Sequence, residues 1–256
     1  MSIFARLKYY QLFSFFKNKK TLHELIPDNF VDIHSHILPG IDDGSKSLEN
    51  TYSLVNSLKE IGFNQFMGTP HIIKHVWENT RSSIEQAQKI VLDGYKQNAE
   101  NIDLRIAAEY MMEESFVKLF KSEKLLTLKD NYVLVEMSYL NPPIQLYDII
   151  FELQVAGYKP VLAHPERYVF YHHNFEEYLK LKKAGCLFQL NLLSSVGYYG
   201  KHETETAQKL LDKGMIDFVG SDVHHQKHID SFQKKILLKN SMPLIEAIKN
   251  NEFFRK

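Results

Sequence analysis

The chain has 256 residues, a length that suits one large core better than two. Its 44% hydrophobic residues, 11 Gly and single Cys exclude a collagen-like, disordered or disulfide-stapled chain. Lys+Arg and Asp+Glu both number 31, so no net charge steers the molecule toward nucleic acid. The outlier is His, with 12 residues, which points to metal or proton chemistry.

Residues 1–20 carry Arg6, Lys8, Lys17, Lys19 and Lys20 with no acid, interleaved with large apolar side chains. No uninterrupted apolar region and no small-residue cleavage site follow, so the segment does not read as a secretory signal. It reads as the main part of a basic, aromatic N-terminal arm over residues 1–29. Its composition suits either a helix packed on the body or weak contact of residues 1–20 with an anionic membrane surface. Pro27, Asp28 and Asn29 then separate the arm from a single domain over 30–256. No run approaches the roughly 20 uncharged apolar residues of a spanning helix.

From residue 30 onward, short apolar runs at 30–33, 65–67, 104–107, 132–135, 160–163, 187–190 and 217–219 read as strands buried on both faces. Helical periodicity fills the intervals. Leu54, Leu58 and Ile61 precede Gly62, and Ala207, Leu210 and Leu211 precede Gly214. Asn174 with Glu177 three residues on predicts a capped helix that ends at Gly185. This sevenfold strand–helix alternation predicts an α/β fold with a parallel sheet, open or closed into a barrel.

The chemistry-bearing residues follow the carboxyl ends of those runs: His34 and His36, then His71, Glu109, Glu136, His164, and finally Asp222 with His224. In parallel α/β barrels this rim carries the active site. Imidazoles and carboxylates together suit Zn, Mn or Fe, and a carboxylate can bridge two ions. Asp32, Ser35 and Ser221 are available to orient such ligands. Competing chemistries are weak. Cys186 would need an Arg six residues later for a cysteine-phosphatase loop, and position 192 is Leu. No phosphate-binding or dinucleotide-binding glycine pattern and no Gly-x-Ser-x-Gly elbow is present.

The run Asp32-Ile33-His34-Ser35-His36-Ile37-Leu38-Pro39-Gly40-Ile41-Asp42-Asp43-Gly44 resembles the opening motif of the polymerase-and-histidinol-phosphatase (PHP) superfamily. More narrowly, the chain resembles the bacterial manganese-dependent protein-tyrosine phosphatases of capsular and exopolysaccharide synthesis. Thr69-Pro70-His71, Ala108-Glu109-Tyr110, Leu134-Val135-Glu136, Ala163 through Arg167, Gln189-Leu190-Asn191 and Ser221 through His224 match in order. The likeness spans residues 31 to about 240.

The resemblance implies a distorted (β/α)7 barrel, the PHP fold, with a three-metal site at the C-terminal rim of the strands. The implied ligands are His34, His36, Asp43, His71, Glu109, Glu136, His164, Asp222 and His224, with Glu109 as bridge. Of the neighbouring pair Asp42 and Asp43, the second is favoured, although nothing in the sequence excludes the first. Manganese is the implied metal, with Fe or Zn as alternatives. His71 and His224 would serve catalysis beside Arg167, which suits a phosphate clamp because a guanidinium fork matches phosphate oxygens. One departure stands out: these phosphatases often carry an Arg shortly after Ser-Asp-x-His, whereas this chain reads His225-Gln226-Lys227-His228. Lys227, or His225 or His228 in protonated form, is then expected to take the second phosphate contact.

The implied reaction is hydrolysis of phosphotyrosine in proteins by a metal-bridged hydroxide. The implied partner is a tyrosine-phosphorylated protein, specifically a membrane-bound tyrosine autokinase. The implied location is the cytoplasm or the inner membrane face. The rivals are a small-molecule phosphoesterase such as a histidinol-phosphate phosphatase, and a non-catalytic metal-binding module. Tyr110, Tyr139, Tyr168, Tyr171, Tyr198 and Tyr199 are candidates to stack on a phosphotyrosine ring, or else pack the barrel mouth.

Overall fold

The computed structural model describes residues 19–256. The basic aromatic stretch 1–18, including most of the segment read as membrane-contacting, lies outside the described residues.

All seven expected runs form strands: β1 (Phe30–Ser35), β2 (Phe63–Gly68), β4 (Asp103–Ile106), β6 (Tyr132–Glu136), β7 (Lys159–Ala163), β8 (Leu187–Asn191) and β9 (Phe218–Gly220). Two short strands were not expected, β3 (His71–Ile72) and β5 (Glu109–Met111). The helices among the described residues are α1 (Leu48–Ile61), α2 (Arg81–Gln97), α3 (Glu114–Ser122), α4 (Leu146–Val155), α5 (Phe175–Lys183), α6 (Lys201–Asp212), α7 (Gln226–Asp230) and α8 (Met242–Asn250). The fold is therefore mixed α/β. Two parallel sheets form, in the orders β1-β2-β4 and β3-β5-β6-β7-β8-β9.

β3 and β5 exist because β2 and β4 each break after their last residue and resume. Pro70 has no N–H to continue the ladder. Thr69 compensates, because its hydroxyl accepts the Ser35 N–H at 3.1 Å while its own N–H reaches the Ser35 carbonyl at 2.9 Å. Across the breaks, Ala107 N–H bonds the Gly68 carbonyl at 2.9 Å and Glu109 N–H bonds that of Pro70 at 3.0 Å. At the far side, Asp222 N–H donates to the His34 carbonyl at 2.7 Å, and Ser35 pairs in parallel with Val223.

Side chains alternate about the strands. Val31 and Ile33 of β1, Met67 of β2, Leu134 of β6, Val161 and Ala163 of β7 and Phe218 of β9 form one buried cluster with Phe254. Val133, Val135, Leu162, Leu190 and Val219 point the other way, into a larger core shared with the helices. Helix boundaries follow local chemistry. The Ser47 hydroxyl caps α1 by accepting the Asn50 N–H, and Gly62 ends it at φ 118°. At α5 the helix begins after Asn174 as expected, but the Asn174 side chain makes no capping bond.

Residues 19–29, read from sequence as the end of the basic aromatic arm, contact the body. Leu22 N–H bonds the Lys234 carbonyl at 3.0 Å, Ile236 N–H bonds that of Lys20, and Leu22 and Ile26 are buried in the larger core. Two apolar residues four apart are too sparse to register as a periodic element in sequence. Leu22→Ala should lower stability by about 2–5 kcal/mol, the usual loss for a fully buried Leu. Urea denaturation with an unchanged midpoint would remove this segment from the core.

Candidate metal centre

The site is built from strand ends. His34 lies in β1 and His36 just beyond it, His71 opens β3, Glu109 opens β5 and Glu136 ends β6. His164 and Asp222 follow β7 and β9, each with positive φ, 36° and 50°. Non-Gly residues seldom adopt this conformation, and it is tolerated where surrounding structure enforces it. Both have their backbone N–H groups fixed at 2.7 Å, His164 on the Gln189 carbonyl and Asp222 on that of His34.

These side chains converge. Four overlapping groups have donor atoms mutually within 4.8 Å: His36, Asp43, His71 and His224; His34, His36 and Asp222; His34, Glu109 and His164; His71, Glu109 and Glu136. All nine residues named from the sequence as ligands fall in these groups. His34 Nε2 lies 3.2 Å from His36 Nε2, and both lie 3.4 Å from Asp222 Oδ1. Glu109 Oε2 is ringed by His34 Nε2 at 3.2 Å, His71 Nδ1 at 3.2 Å and His36 Nε2 at 3.4 Å. Yet this fully buried oxygen has no hydrogen-bond partner of acceptable geometry among the described residues. A buried carboxylate oxygen facing three nitrogens without a directed bond fits a cation better than a proton.

Orientation comes from behind. His34 Nδ1–H donates to Gln189 Oε1 at 2.7 Å, His36 Nδ1–H to Asp42 Oδ2 at 2.8 Å, and His224 Nδ1–H to the Asp222 carbonyl at 2.9 Å. Each bond leaves an Nε2 lone pair facing the cluster, the usual arrangement behind metal-ligating imidazoles. The choice between Asp42 and Asp43 becomes a matter of side. Asp42 is buried behind His36, whereas Asp43 Oδ1 lies 3.4 Å from His224 Nε2 and 3.6 Å from His71 Nε2. Asp32 and Ser35 bind elements together instead of touching imidazole rings. Asp32 accepts the Ser221 N–H and hydroxyl, and the Ser35 hydroxyl donates to the Met67 carbonyl.

Burial drives the titration of the cluster in different directions. Burial alone would lower His71, but Glu109 and Glu136 beside it raise it to about 9. His36, also pushed down by burial, is carried well above its ordinary value by Asp42, Asp222 and Glu109. Burial and the Glu109 charge together push Glu136 upward. His164 is different, since burial outweighs its Glu109 contact and lowers it to about 4. Burial disfavours ionised Asp222, yet His34, His224 and Arg167 hold it well below the usual carboxylate range.

The cluster floors a cavity of about 250 Å³ lined by Asp43, His71, Tyr139, His164, Arg167, Tyr199, Asp222, His224, His225 and His228. Arg167 Nη1 donates to Asp222 Oδ2 at 2.9 Å. The guanidinium carbon sits 4.7 Å from the Tyr139 ring centroid and 4.1 Å from that of Tyr199, so the group is sandwiched. Of the six tyrosines considered, only these two reach the cavity. Tyr110 and Tyr168 are buried, with hydroxyls accepting the N–H of Leu126 and Met137, and Tyr171 and Tyr198 do not line it.

Of the residues expected at the second phosphate contact, His225 and His228 line the cavity and Lys227 does not. Lys227 is exposed on α7 and does not line the cavity. His228 lines it but is held neutral, lowered to about 3 chiefly by burial, and its Nδ1 accepts the His224 N–H. His225 lines it and is lowered as well, by partial burial and by His224 and Lys227. Gln189 and Asn191 were given no role of their own from sequence, and Tyr139 and Tyr199, named as candidates to stack on a phosphotyrosine ring, stack on Arg167 instead. The signal for Gln189 and Asn191 was a polar residue inside the apolar run of β8 and another directly after it.

The parallel α/β fold and its rim of imidazoles and carboxylates define a metal-dependent hydrolase architecture. Residues 30–240 match the family described as capsular polysaccharide synthesis, CpsB/CapC, and the chain belongs to that family. The tyrosine-protein phosphatase CpsB of Streptococcus pneumoniae is 30% identical over 202 residues, 76% of this chain and 83% of the relative. The tyrosine-protein phosphatase YwqE of Bacillus subtilis is 28% identical over 204 residues, covering 77% and 78%. A solved structure from work on YwqE and CpsB, described as unique metal-dependent tyrosine phosphatases, superposes with a TM-score of 0.73 and 26% identity over 79% of this chain and 84% of that one. A zinc-bound amidohydrolase from Burkholderia ambifaria shares the fold alone, with a TM-score of 0.52 and 10% identity over 91% and 86%.

A metal ligand must be deprotonated, so cations compete with the protons that His71 and Glu136 retain. The folded His71 value of about 9 lies above its ordinary 6.5. Its contribution to metal-free stability is therefore complete below pH 6.5 and lost as pH rises through 9. Raised Glu136 acts with the same sign. The melting-temperature increase on adding a divalent cation should accordingly grow between pH 6.5 and 9, with protons released on binding. Calorimetry in buffers of different ionisation enthalpy measures that release, and a pH-independent increase would contradict it.

Proposed function

We propose that this chain is a metal-dependent phosphatase that hydrolyses phosphotyrosine in proteins. One observation carries the reading: a single cavity holds the imidazole–carboxylate cluster at its floor and Arg167 between two tyrosine rings at its wall. A phosphate fits the guanidinium fork and the cluster, while the tyrosine rings beside the guanidinium offer aromatic surface to an aryl group. The architecture we infer is a distorted seven-stranded barrel. The ladder bonds across the β2–β3 and β4–β5 breaks, the Ser35–Val223 pairing and the enclosed cluster around Val31 and Leu134 support closure.

We assign His34, His36, Asp43, His71, Glu109, Glu136, His164, Asp222 and His224 as the residues that would hold metal, with Glu109 shared between ions. Nitrogen and carboxylate donors without thiolate suit manganese, and equally iron or zinc. Three manganese ions are the inference from the family resemblance. When bound, such ions neutralise phosphate charge and acidify water to a pKa near 7.

The protein's own groups do the rest. Arg167 spends one N–H on Asp222, leaving the remainder of its fork for phosphate oxygens. The Tyr139 and Tyr199 rings fix the guanidinium plane. His71 and His224 are the partly exposed imidazoles of the cluster and face the bound group. A phenolate with a pKa near 10 leaves with little help from an acid. The substrate we infer is a tyrosine-phosphorylated protein of capsule synthesis, a reading supported by the family's description and the relatives' names. That it is a membrane-bound tyrosine kinase met in the cytoplasm is the inference from the family resemblance. No helix among the described residues is long and apolar enough to cross a membrane.

Turnover of a phosphotyrosine peptide should require a divalent cation and exceed turnover of histidinol phosphate. A preference for histidinol phosphate would favour the small-molecule reading. Cys186→Ser should keep activity, because the thiol is buried and pushed up to about 12, away from any thiolate role. Arg167→Lys keeps charge but loses the planar fork. It should lower turnover about tenfold, or about 1.4 kcal/mol of transition-state stabilisation, with metal content unchanged. Elemental analysis showing metal lost in that variant would reassign Arg167 to structure.

A further inference from the structure

Glu166 is the buried acid that the metal cluster does not use. It lies in the short turn Pro165–Arg167 that follows β7, and it is fully buried. Its Oε1 accepts the Asn191 N–H at 3.0 Å and the Ser194 hydroxyl at 2.6 Å, and its backbone carbonyl accepts His172 Nε2–H at 2.7 Å. Oε2 has no partner among the described residues. Burying a carboxyl group with one oxygen unsatisfied is costly, so packing alone gives no reason for an acid there.

The two groups it grips belong to the next loop. Asn191 ends β8, and Ser194 lies in the turn Leu192–Val196 that follows. Asn191 in turn aims its side-chain amide at the phosphate side of the cavity. Its Nδ2 donates to Asp222 Oδ2 at 2.8 Å and to the Tyr199 hydroxyl at 2.9 Å, while its Oδ1 accepts the Leu193 N–H at 2.9 Å. Asp222 and Tyr199 are two of the three groups that hold Arg167. Arg167 is also the residue immediately after Glu166.

We propose that Glu166 is a positioning residue for Arg167. It clamps the loop after β8 to the loop after β7, so that Asn191, Tyr199 and Asp222 set the guanidinium at one place over the cavity. This rests on the reading of Arg167 as the phosphate grip. A fork used for bidentate recognition tolerates little misplacement, and errors near 1 Å cost heavily in oriented sites. A buried hydrogen-bonded acid supplies the rigidity that an apolar residue would not.

The test compares metal-loaded wild type with Glu166→Ala, Glu166→Gln and Ser194→Ala, alone and in an Arg167→Ala background. Inorganic phosphate affinity by calorimetry, metal content by elemental analysis and phosphotyrosine-peptide kinetics are read for each. Glu166→Ala should weaken phosphate binding and raise KM about tenfold with metal content unchanged. Glu166→Gln, which keeps an acceptor oxygen, should recover most of that loss, and Ser194→Ala should lose a few-fold. In the Arg167→Ala background, Glu166→Ala should add almost nothing. Additive losses in that background, or metal lost in step with phosphate affinity, overturn the positioning role. Should Glu166→Ala not fold, Ser194→Ala decides, and undiminished phosphate affinity there overturns the proposal. If Arg167→Ala itself leaves phosphate affinity intact, the reading of Arg167 fails. If it weakens phosphate while the Glu166 variants do not, only this inference fails.

Discussion

Carboxylates and imidazoles can share a dry pocket only if something positive passes between them, and this protein gathers nine such side chains at one end of its strands. Without a cation that role falls to protons: His36 and His71 are raised because Asp42, Glu109 and Glu136 outweigh the effect of burial. Protons satisfy the cluster poorly, as the unbonded Oε2 of Glu109 shows in the midst of three ring nitrogens. The cavity, the strained strand ends and the orienting bonds all follow from holding these charges in register.

The backbone makes room at two glycines. A Cβ on Gly44 would lie 2.0 Å from the His36 carbonyl oxygen, and one on Gly220 would lie 2.6 Å from His34 Cβ. Neither glycine needs positive φ. Gly44 lets its loop close onto His36, and Gly220 lets the end of β9 pack against His34. The left-handed His164 and Asp222 do the converse, turning side chains inward at β7 and β9, where an extended residue would continue the strand.

Strands buried on both faces announce themselves as continuous apolar runs, and the seven found here were legible for that reason. β3 and β5 were not, because two or three residues after Thr69-Pro70 and Ala107-Ala108 carry no period. Eight of the nine clustered side chains were legible because they lie at or shortly after the ends of such runs, and Asp43 only through the family resemblance. The side chain of Asp42 was not, since adjacent acids in a turn point in directions that only the turn decides. Proximity to a motif does not tell which side chain faces the site: Lys227 is exposed away from the cavity lining, whereas α7 presents the buried imidazole of His228. Burial, which sequence spacing does not report, also removes the positive charge expected of that imidazole.

Asp222 shows how closely the two halves of the site are joined. Its Oδ1 faces His34 and His36 at 3.4 Å, and its Oδ2 accepts from Arg167 at 2.9 Å and from Asn191 at 2.8 Å. One carboxylate therefore faces the imidazoles with one oxygen and holds Arg167 and Asn191 with the other. A shift of Asp222 would therefore disturb the imidazole cluster and the guanidinium together. Arg167 is the single Arg lining the cavity, and with His228 held neutral by burial its position depends on Asp222 and on the Tyr139 and Tyr199 rings.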